Sequence, residues 1–172
     1  MTTIAKISFD RYRLALTTPS DIQGHVQRLY ELATGNVMEI GVRDGVSTSA
    51  LLYGVENHGG FLWSIDTEDC SRHFPDHPQW RFIKAHSKTD SDYVFLRIPP
   101  RLDLLLVDGD HSYESCMSDL LTYGPRSRVI AVHDTFTPLW PDVKLAVDDY
   151  FRQSRHKKIT FWKECYGMAV ME

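Results

Sequence analysis

The stretch Val37-Met-Glu-Ile-Gly-Val-Arg-Asp-Gly-Val-Ser-Thr48 decides how the rest of the chain is read. Val37 to Val42 predicts a short apolar strand, a glycine-bearing turn follows, and a helix runs from Val46 to Val55. Gly41 and Gly45 carry no Cβ, so the backbone can turn sharply there and a ligand can approach it closely. Glu39 is an acid inside an apolar run, where an unpaired charge is costly, so its carboxylate needs a cation or several donors. A strand, a glycine turn and a helix N-terminus together suit a nucleotide-type ligand, phosphates and dinucleotides included.

Outward from this unit, strand and helix patterns alternate. Phe61 to Asp66 and Trp80 to His86 read as strands, and 67–80 as a loop broken by Pro75 and Pro78. A brief helix over Ser91 to Leu96 is closed by Pro99-Pro100. Leu102 to Val107 is nearly continuous in apolar residues, as a strand covered on both faces should be. Ser112 caps a helix with Tyr113, Cys116, Met117, Leu120 and Leu121 as its buried stripe, ended by Gly124-Pro125. Arg128 to Val132 is the next strand, and Leu139, Val143, Ala146, Val147, Tyr150 and Phe151 recur at helical spacing. Lys158 to Lys163 and Gly167 to Met171 flank a Glu-Cys-Tyr-Gly turn and predict a hairpin. On the N-terminal side, Ser20-Asp-Ile-Gln23 offers a capping box for a helix that Gly35-Asn36 stops. Residues 1–18 read as a short strand or a flap through Ile4, Ile7 and Phe9. The fold class expected is α/β: a three-layer, Rossmann-like, mainly parallel seven-stranded sheet with an antiparallel C-terminal hairpin strand.

Composition narrows the function. A formal net charge of −4 over 172 residues disfavours a nucleic-acid surface, which needs clustered Lys and Arg. The dense basic patch from Arg152 to Lys158 reads as a solvated helix end. Cys70, Cys116 and Cys165 are odd in number and widely spaced, which suits reduced thiols and a cytoplasmic protein. No apolar run approaches the ~20 residues of a membrane span, and no secretory signal is expected. The Cys70 to His77 loop lacks the second paired ligand set of a zinc site.

In parallel sheets ligands bind beyond the carboxyl ends of the strands. Here those ends carry Gly41 to Gly45, Asp66, His86-Ser87, Asp108-Gly-Asp-His111 and His133-Asp134. The pattern Glu39-x-Gly41-x-x-x-Gly45 departs from the close glycine pair of a dinucleotide fingerprint, and an acid before the turn suits a cationic ligand better than a pyrophosphate. Asp66, closing the second strand, is placed to hydrogen-bond a ribose diol.

With Val107-Asp-Gly-Asp-His-Ser-Tyr-Glu114 and Val129-Ile-Ala-Val-His-Asp134, this pattern resembles class I S-adenosylmethionine-dependent methyltransferases, in the branch of small-molecule (sugar and natural-product) O-methyltransferases. The resemblance implies a single methyltransferase domain over 1–172, with 1–34 as an N-terminal segment and helix and 35–172 as the cofactor-binding core. It implies that Glu39, Gly41, Gly45, Ser47 and Thr48 hold the amino-acid end of S-adenosyl-L-methionine. Asp66 would hold the ribose, His86 and Ser87 the adenine side, and Asp108 the floor beside the sulfonium. Asp108, His111 and His133 are the expected catalytic groups, an imidazole being a sensible base near neutral pH. Relatives that use a divalent cation bring Mg²⁺ or Mn²⁺ into view, with Asp108, Asp110 and Asp134 as ligands and His133 offering an imidazole. Phe136 and Trp140 are expected to wall the acceptor pocket. The expected partner is a small-molecule substrate, with no nucleic acid and no membrane, and a short chain of this kind is expected to complete its pocket as a homo-oligomer. A non-catalytic module keeping the same fold, and an NAD-binding oxidoreductase, are the competing readings.

Overall fold

The computed structural model describes residues 3–172, with side chains from Lys6 onward. Its elements in chain order are α1 (Thr3–Thr17), α2 (Val26–Leu32), β1 (Gly35–Ile40), α3 (Val46–His58), β2 (Gly60–Asp66), β3 (Trp80–Lys84), α4 (Ser91–Phe95), β4 (Leu102–Val107), α5 (Tyr113–Tyr123), β5 (Ser127–His133), α6 (Pro141–Gln153), β6 (Ile159–Trp162) and β7 (Met168–Met171). The seven strands form one sheet in the order β3-β2-β1-β4-β5-β7-β6. Strands β1 to β5 are parallel, while β7 runs antiparallel to both β5 and β6. Chain order reverses between β1 and β4, so a crevice opens there beyond the strand ends.

Side-chain alternation along β1 explains the three layers. Met38 and Ile40 join Leu105, Leu120, Ile130 and Val147 on the α4–α6 side. Val37 packs with Leu29, Leu51, Leu62 and Leu104 on the α1–α3 side. Glu39 falls on the second side by the same alternation and is fully buried. The parallel register sets Glu39 beside Ser64 of β2. Ser64 Oγ donates to Glu39 Oε2 at 2.7 Å, Thr48 Oγ1 to the same oxygen at 2.8 Å, and Ser47 Oγ to Oε1 at 2.6 Å. Trp80 Nε1 donates in turn to Ser64 Oγ at 2.9 Å. The acid thus bolts the first turn of α3 onto β1 and β2, near the positive end of the helix. Burial outweighs the three hydroxyls and pushes its carboxyl up to about 7.

Four expectations change. Residues 3–17 form a helix rather than a strand or flap: Tyr12 and Ala15 are buried, and Tyr12 packs against Tyr30 and Tyr53 at centroid distances of 5.1 and 4.9 Å. No described strand edge lies there to pair with; the sheet ends at β3 and β6. Residues 1 and 2 of that expectation lie outside the described residues. The capping box at Ser20 is not formed: Gln23 Nε2 donates to the Leu16 carbonyl at 2.9 Å and Ser20 Oγ has no hydrogen-bond partner among the described residues, so a 3-10 turn spans Gln23–His25 and α2 begins only at Val26. Leu121 and Leu139, expected on buried stripes, are 51% and 62% exposed. Leu121 sits past the edge of the α5 stripe, and Leu139 precedes the first turn of α6. Gly35 and Asn36 open β1 instead of stopping a helix. No helix among the described residues is long and apolar enough to cross a membrane.

The Glu39 carboxyl binds its proton more tightly folded than unfolded, so its favourable contribution is complete below about pH 4.5 and is lost as pH rises through about 7. Thermal melts should therefore show parent stability falling across that window, with a shallower fall for Glu39→Gln. Glu39→Ala, which strands three hydroxyls, should cost about 2–4 kcal/mol by denaturant titration. A melt of Glu39→Ala equal to the parent's would contradict the anchoring role.

Candidate active site

The ends of β1, β2, β3 and β4 border a cleft of about 620 Å³ on the carboxyl side of the sheet. At its floor Gly41 adopts φ 91°, and a Cβ there would lie 2.0 Å from the Asp108 carbonyl oxygen. That close approach of two backbones is why the first turn residue is a glycine. Asp66 lines the cleft and also ties down the turn: its Oδ2 accepts from Val42 N at 2.8 Å and Arg43 N at 3.1 Å, and its Oδ1 from Glu68 N at 2.9 Å. Burial favours the neutral acid, but these N–H groups outweigh it and hold the carboxyl below its usual range. The Thr67 N–H bonds the same carboxylate, so four backbone donors of the turn and the following loop hold it as an anion.

At the far end, His86 and Ser87 line the cleft together with Asp119 of α5. Asp119 is 3% exposed, and burial pushes its carboxyl up to about 6 against the hydrogen bond from Ser87. Sequence reading passed over this residue. The available signal was an acid three positions after Cys116 and next to Leu120, inside the buried stripe of α5.

The other end gathers the β4 and β5 termini. His133 is 2% exposed and both ring nitrogens are engaged. Nε2 lies 3.2 Å from the Asp21 carbonyl and 3.0 Å from the Cys165 carbonyl. Nδ1 lies 3.1 Å from Asp108 Oδ1 and 3.3 Å from Asp134 Oδ2. With acceptors on both sides the ring is an imidazolium. Burial opposes that charge, but the two carboxylates override it and push the histidine up to about 11. Asp134, held at φ 61°, is driven well below the usual carboxylate range: burial works against this, and His111 and His133 prevail.

His111 differs from His133 in every relevant respect. It lines the cleft, and its Nε2 lies 2.8 Å from Asp134 Oδ2. Its ring stacks on Trp140 at 4.8 Å and 16°. The hydrogen bond to Asp134 raises its pKa above the ordinary histidine value. A neutral His111 with its proton on Nε2 keeps the Nδ1 lone pair for accepting a proton.

Of the residues expected from sequence, Gly41, Ser47, Asp66, His86, Ser87, Asp108, Asp110 and His111 line the cleft. Glu39, Gly45, Thr48, His133 and Asp134 lie behind it. Glu39, Ser47 and Thr48 spend their polar groups on one another. Gly45 begins α3 at φ 75° and packs against His73. Phe136 sits under Gly167 and against Phe161 rather than beside Trp140. Asp21 and Arg43 also line the cleft and were not foreseen.

The expected metal set is only partly assembled. Asp110 accepts from Ser112 N at 2.8 Å and so braces the residue that caps α5. Donor atoms of Asp108, His133 and Asp134 instead lie within 4.8 Å of one another. Asp134 Oδ1 is buried without a hydrogen-bond partner among the described residues. Two carboxylates, an orphaned carboxylate oxygen, and an imidazole steadied by carbonyls on its other nitrogen fit a divalent cation, provided that the cation replaces the Nδ1 proton.

A family model described as a methyltransferase domain matches residues 38–135. No curated protein sequence matches at significant similarity. Among solved structures, the chain is similar to the MycE methyltransferase of the mycinamycin biosynthetic pathway, whose structure holds Mg, SAH and mycinamycin VI. The TM-score is 0.69 at 16% identity, over 99% of this chain and 54% of that one, so the chain spans about half of that protein. CalS11, a TDP-rhamnose 3′-O-methyltransferase of calicheamicin biosynthesis, gives 0.66 at 14% identity over 97% of this chain and 93% of that one. The O-methyltransferase from Bacillus cereus in complex with SAH gives 0.67 at 13% identity over 99% and 91%.

His133 binds its proton more tightly folded than unfolded, so its contribution is complete below pH ~6.5 and disappears as pH rises through about 11. His133→Asn should destabilise the chain by about 3 kcal/mol near neutral pH and flatten the alkaline fall in melting temperature. An unchanged alkaline limb in the variant would contradict the imidazolium.

Proposed function

The chain belongs to the methyltransferase-domain family, and from that premise we propose that it transfers a methyl group from S-adenosylmethionine to a hydroxyl group of a small metabolite. The observation that carries this reading is the cleft-facing His111, backed by Asp134 and adjoining Asp108, at the end of a cleft that runs on to Asp66 and Asp119. When bound, S-adenosylmethionine supplies an activated methyl on a sulfonium. The protein's work is then to place an oxygen in line with it and remove that oxygen's proton.

His111 Nδ1 takes the hydroxyl proton; Asp134 stabilises the imidazolium that results, and Trp140 holds the ring by stacking. Asp66 takes the ribose diol, while Ser87 and Asp119 face the base, where a carboxylate can accept from an exocyclic amine. Glu39, Ser47 and Thr48 act at one remove, by holding the turn that shapes the cleft. Asp108, His133 and Asp134 would hold a divalent cation, Mg²⁺ or Mn²⁺, which would acidify the acceptor hydroxyl.

Eight carboxylates line the cleft against three Arg or Lys residues, and that field favours a sulfonium over a pyrophosphate. It argues against the NAD reading. The mycinamycin VI held by MycE and the TDP-rhamnose that CalS11 is named for support a hydroxylated metabolite, a saccharide being one such class.

Calorimetry should show S-adenosylmethionine and S-adenosylhomocysteine binding and NAD failing to bind; NAD binding with neither adenosyl ligand would refute the proposal. His111→Gln should lower kcat by about 10²–10⁴-fold without a matching loss of cofactor affinity. Parent kcat should rise with pH across a limb lying above the ordinary histidine range, because the base must be neutral and Asp134 raises its pKa. A flat profile would remove His111 from that role.

A further inference from the structure

We infer that Asp21 and Arg43 form a latch at the mouth of the cleft, one that opens by exchanging partners with the α-ammonium and α-carboxylate of the methyl donor. This rests on the proposed donor. Arg43 Nη2 lies 2.7 Å from Asp21 Oδ2, and both residues line the cleft. Asp21 belongs to the segment between α1 and α2, outside the residues 38–135 that define the family match.

Both backbones are fixed. The Asp21 carbonyl accepts from His133 Nε2, and the next residue, Ile22, is 3% exposed. Arg43 donates its N–H to Asp66, while its carbonyl accepts from His73 Nε2 at 2.8 Å. Its φ of 47° is a left-handed conformation unfavourable for an L-residue, kept because its surroundings impose it. Freedom remains in the side chains: the guanidinium is 68% exposed and the Asp21 carboxylate 26%. Water screens an exposed ion pair of this kind, so it opens easily.

Position selects the ligand group. Asp21 O and Asp108 Oδ1 are bonded to the same imidazole ring, so Asp21 lies within a ring's width of the floor beside His111. With the ribose at Asp66 and the transferable methyl near Asp108, the amino-acid tail has the wall of Asp21, Ile22 and Arg43 left to occupy. That tail is a zwitterion. Its ammonium answers Asp21 and its carboxylate answers Arg43, so the Asp21–Arg43 pair gives way to two, each a charge-assisted hydrogen bond, beside the looser Arg43 Nε–Asp44 Oδ2 pair at 3.7 Å.

The test compares S-adenosylhomocysteine with 5′-methylthioadenosine, which keeps the adenosine and the thioether but lacks the amino-acid tail. In calorimetry the parent should prefer S-adenosylhomocysteine. Asp21→Asn and Arg43→Gln should each weaken it about tenfold, while 5′-methylthioadenosine stays within about twofold. Arg43→Lys, which keeps the charge, should retain most of the preference. Circular dichroism melts confirm that each variant is folded. Equal losses on both ligands, or no loss on either, would overturn the latch but leave the donor in place, as would a parent without preference. Failure of the parent to bind either ligand would overturn both the latch and the donor.

Discussion

The His133 imidazole is the constraint on which the site depends. One ring receives the end of β4 through Asp108, the end of β5 through Asp134, the segment before α2 through the Asp21 carbonyl, and the β6–β7 turn through the Cys165 carbonyl. Four parts of the chain far apart in sequence are thereby held within the span of one side chain. The cost is a buried positive charge, offset by two carboxylates that would otherwise repel each other. The β6–β7 turn bears its own strain, since Cys165 and Tyr166 both sit at positive φ. His133 is one of the groups that keep that turn in place.

A division of labour between two histidines follows. His133, enclosed by acceptors, sets geometry and, without a cation in place of its Nδ1 proton, stays protonated near neutral pH. His111 shares Asp134 Oδ2 with it but is open to the cleft, so the oxygen that faces the enclosed ring also faces the proposed proton acceptor. Glu39 plays the corresponding structural part at the opposite end of the turn. There a buried acid is made tolerable by three hydroxyls rather than by a charge.

Much of the fold was legible because it rests on local patterns. The apolar run Leu102 to Val107 and the cap at Ser112 coincide with β4 and the start of α5. The hairpin around Glu164 to Gly167 is likewise present. The misreadings arise where tertiary contacts override local signals. Gln23 left the capping box for the Leu16 carbonyl, and residues 3–17 became helical by packing on Tyr30 and Tyr53. At the site, residue types at strand ends could be read, but not which way each polar group would turn. Glu39 faces hydroxyls rather than the cleft, Asp110 braces the Ser112 cap, and His133 points inward. Such orientations depend on register and on segments distant in sequence, which spacing alone does not encode.

The central claim is that one cleft holds an adenosyl cofactor with its sulfur beside Asp108 and His111. The most direct measurement is a crystal structure of the chain grown with S-adenosylhomocysteine. The account predicts the ribose on Asp66, the base beside Ser87 and Asp119, and the sulfur at the Asp108 end of the cleft within reach of an oxygen held by His111. Ligand density placed elsewhere, or a ribose with no contact to Asp66, would contradict it.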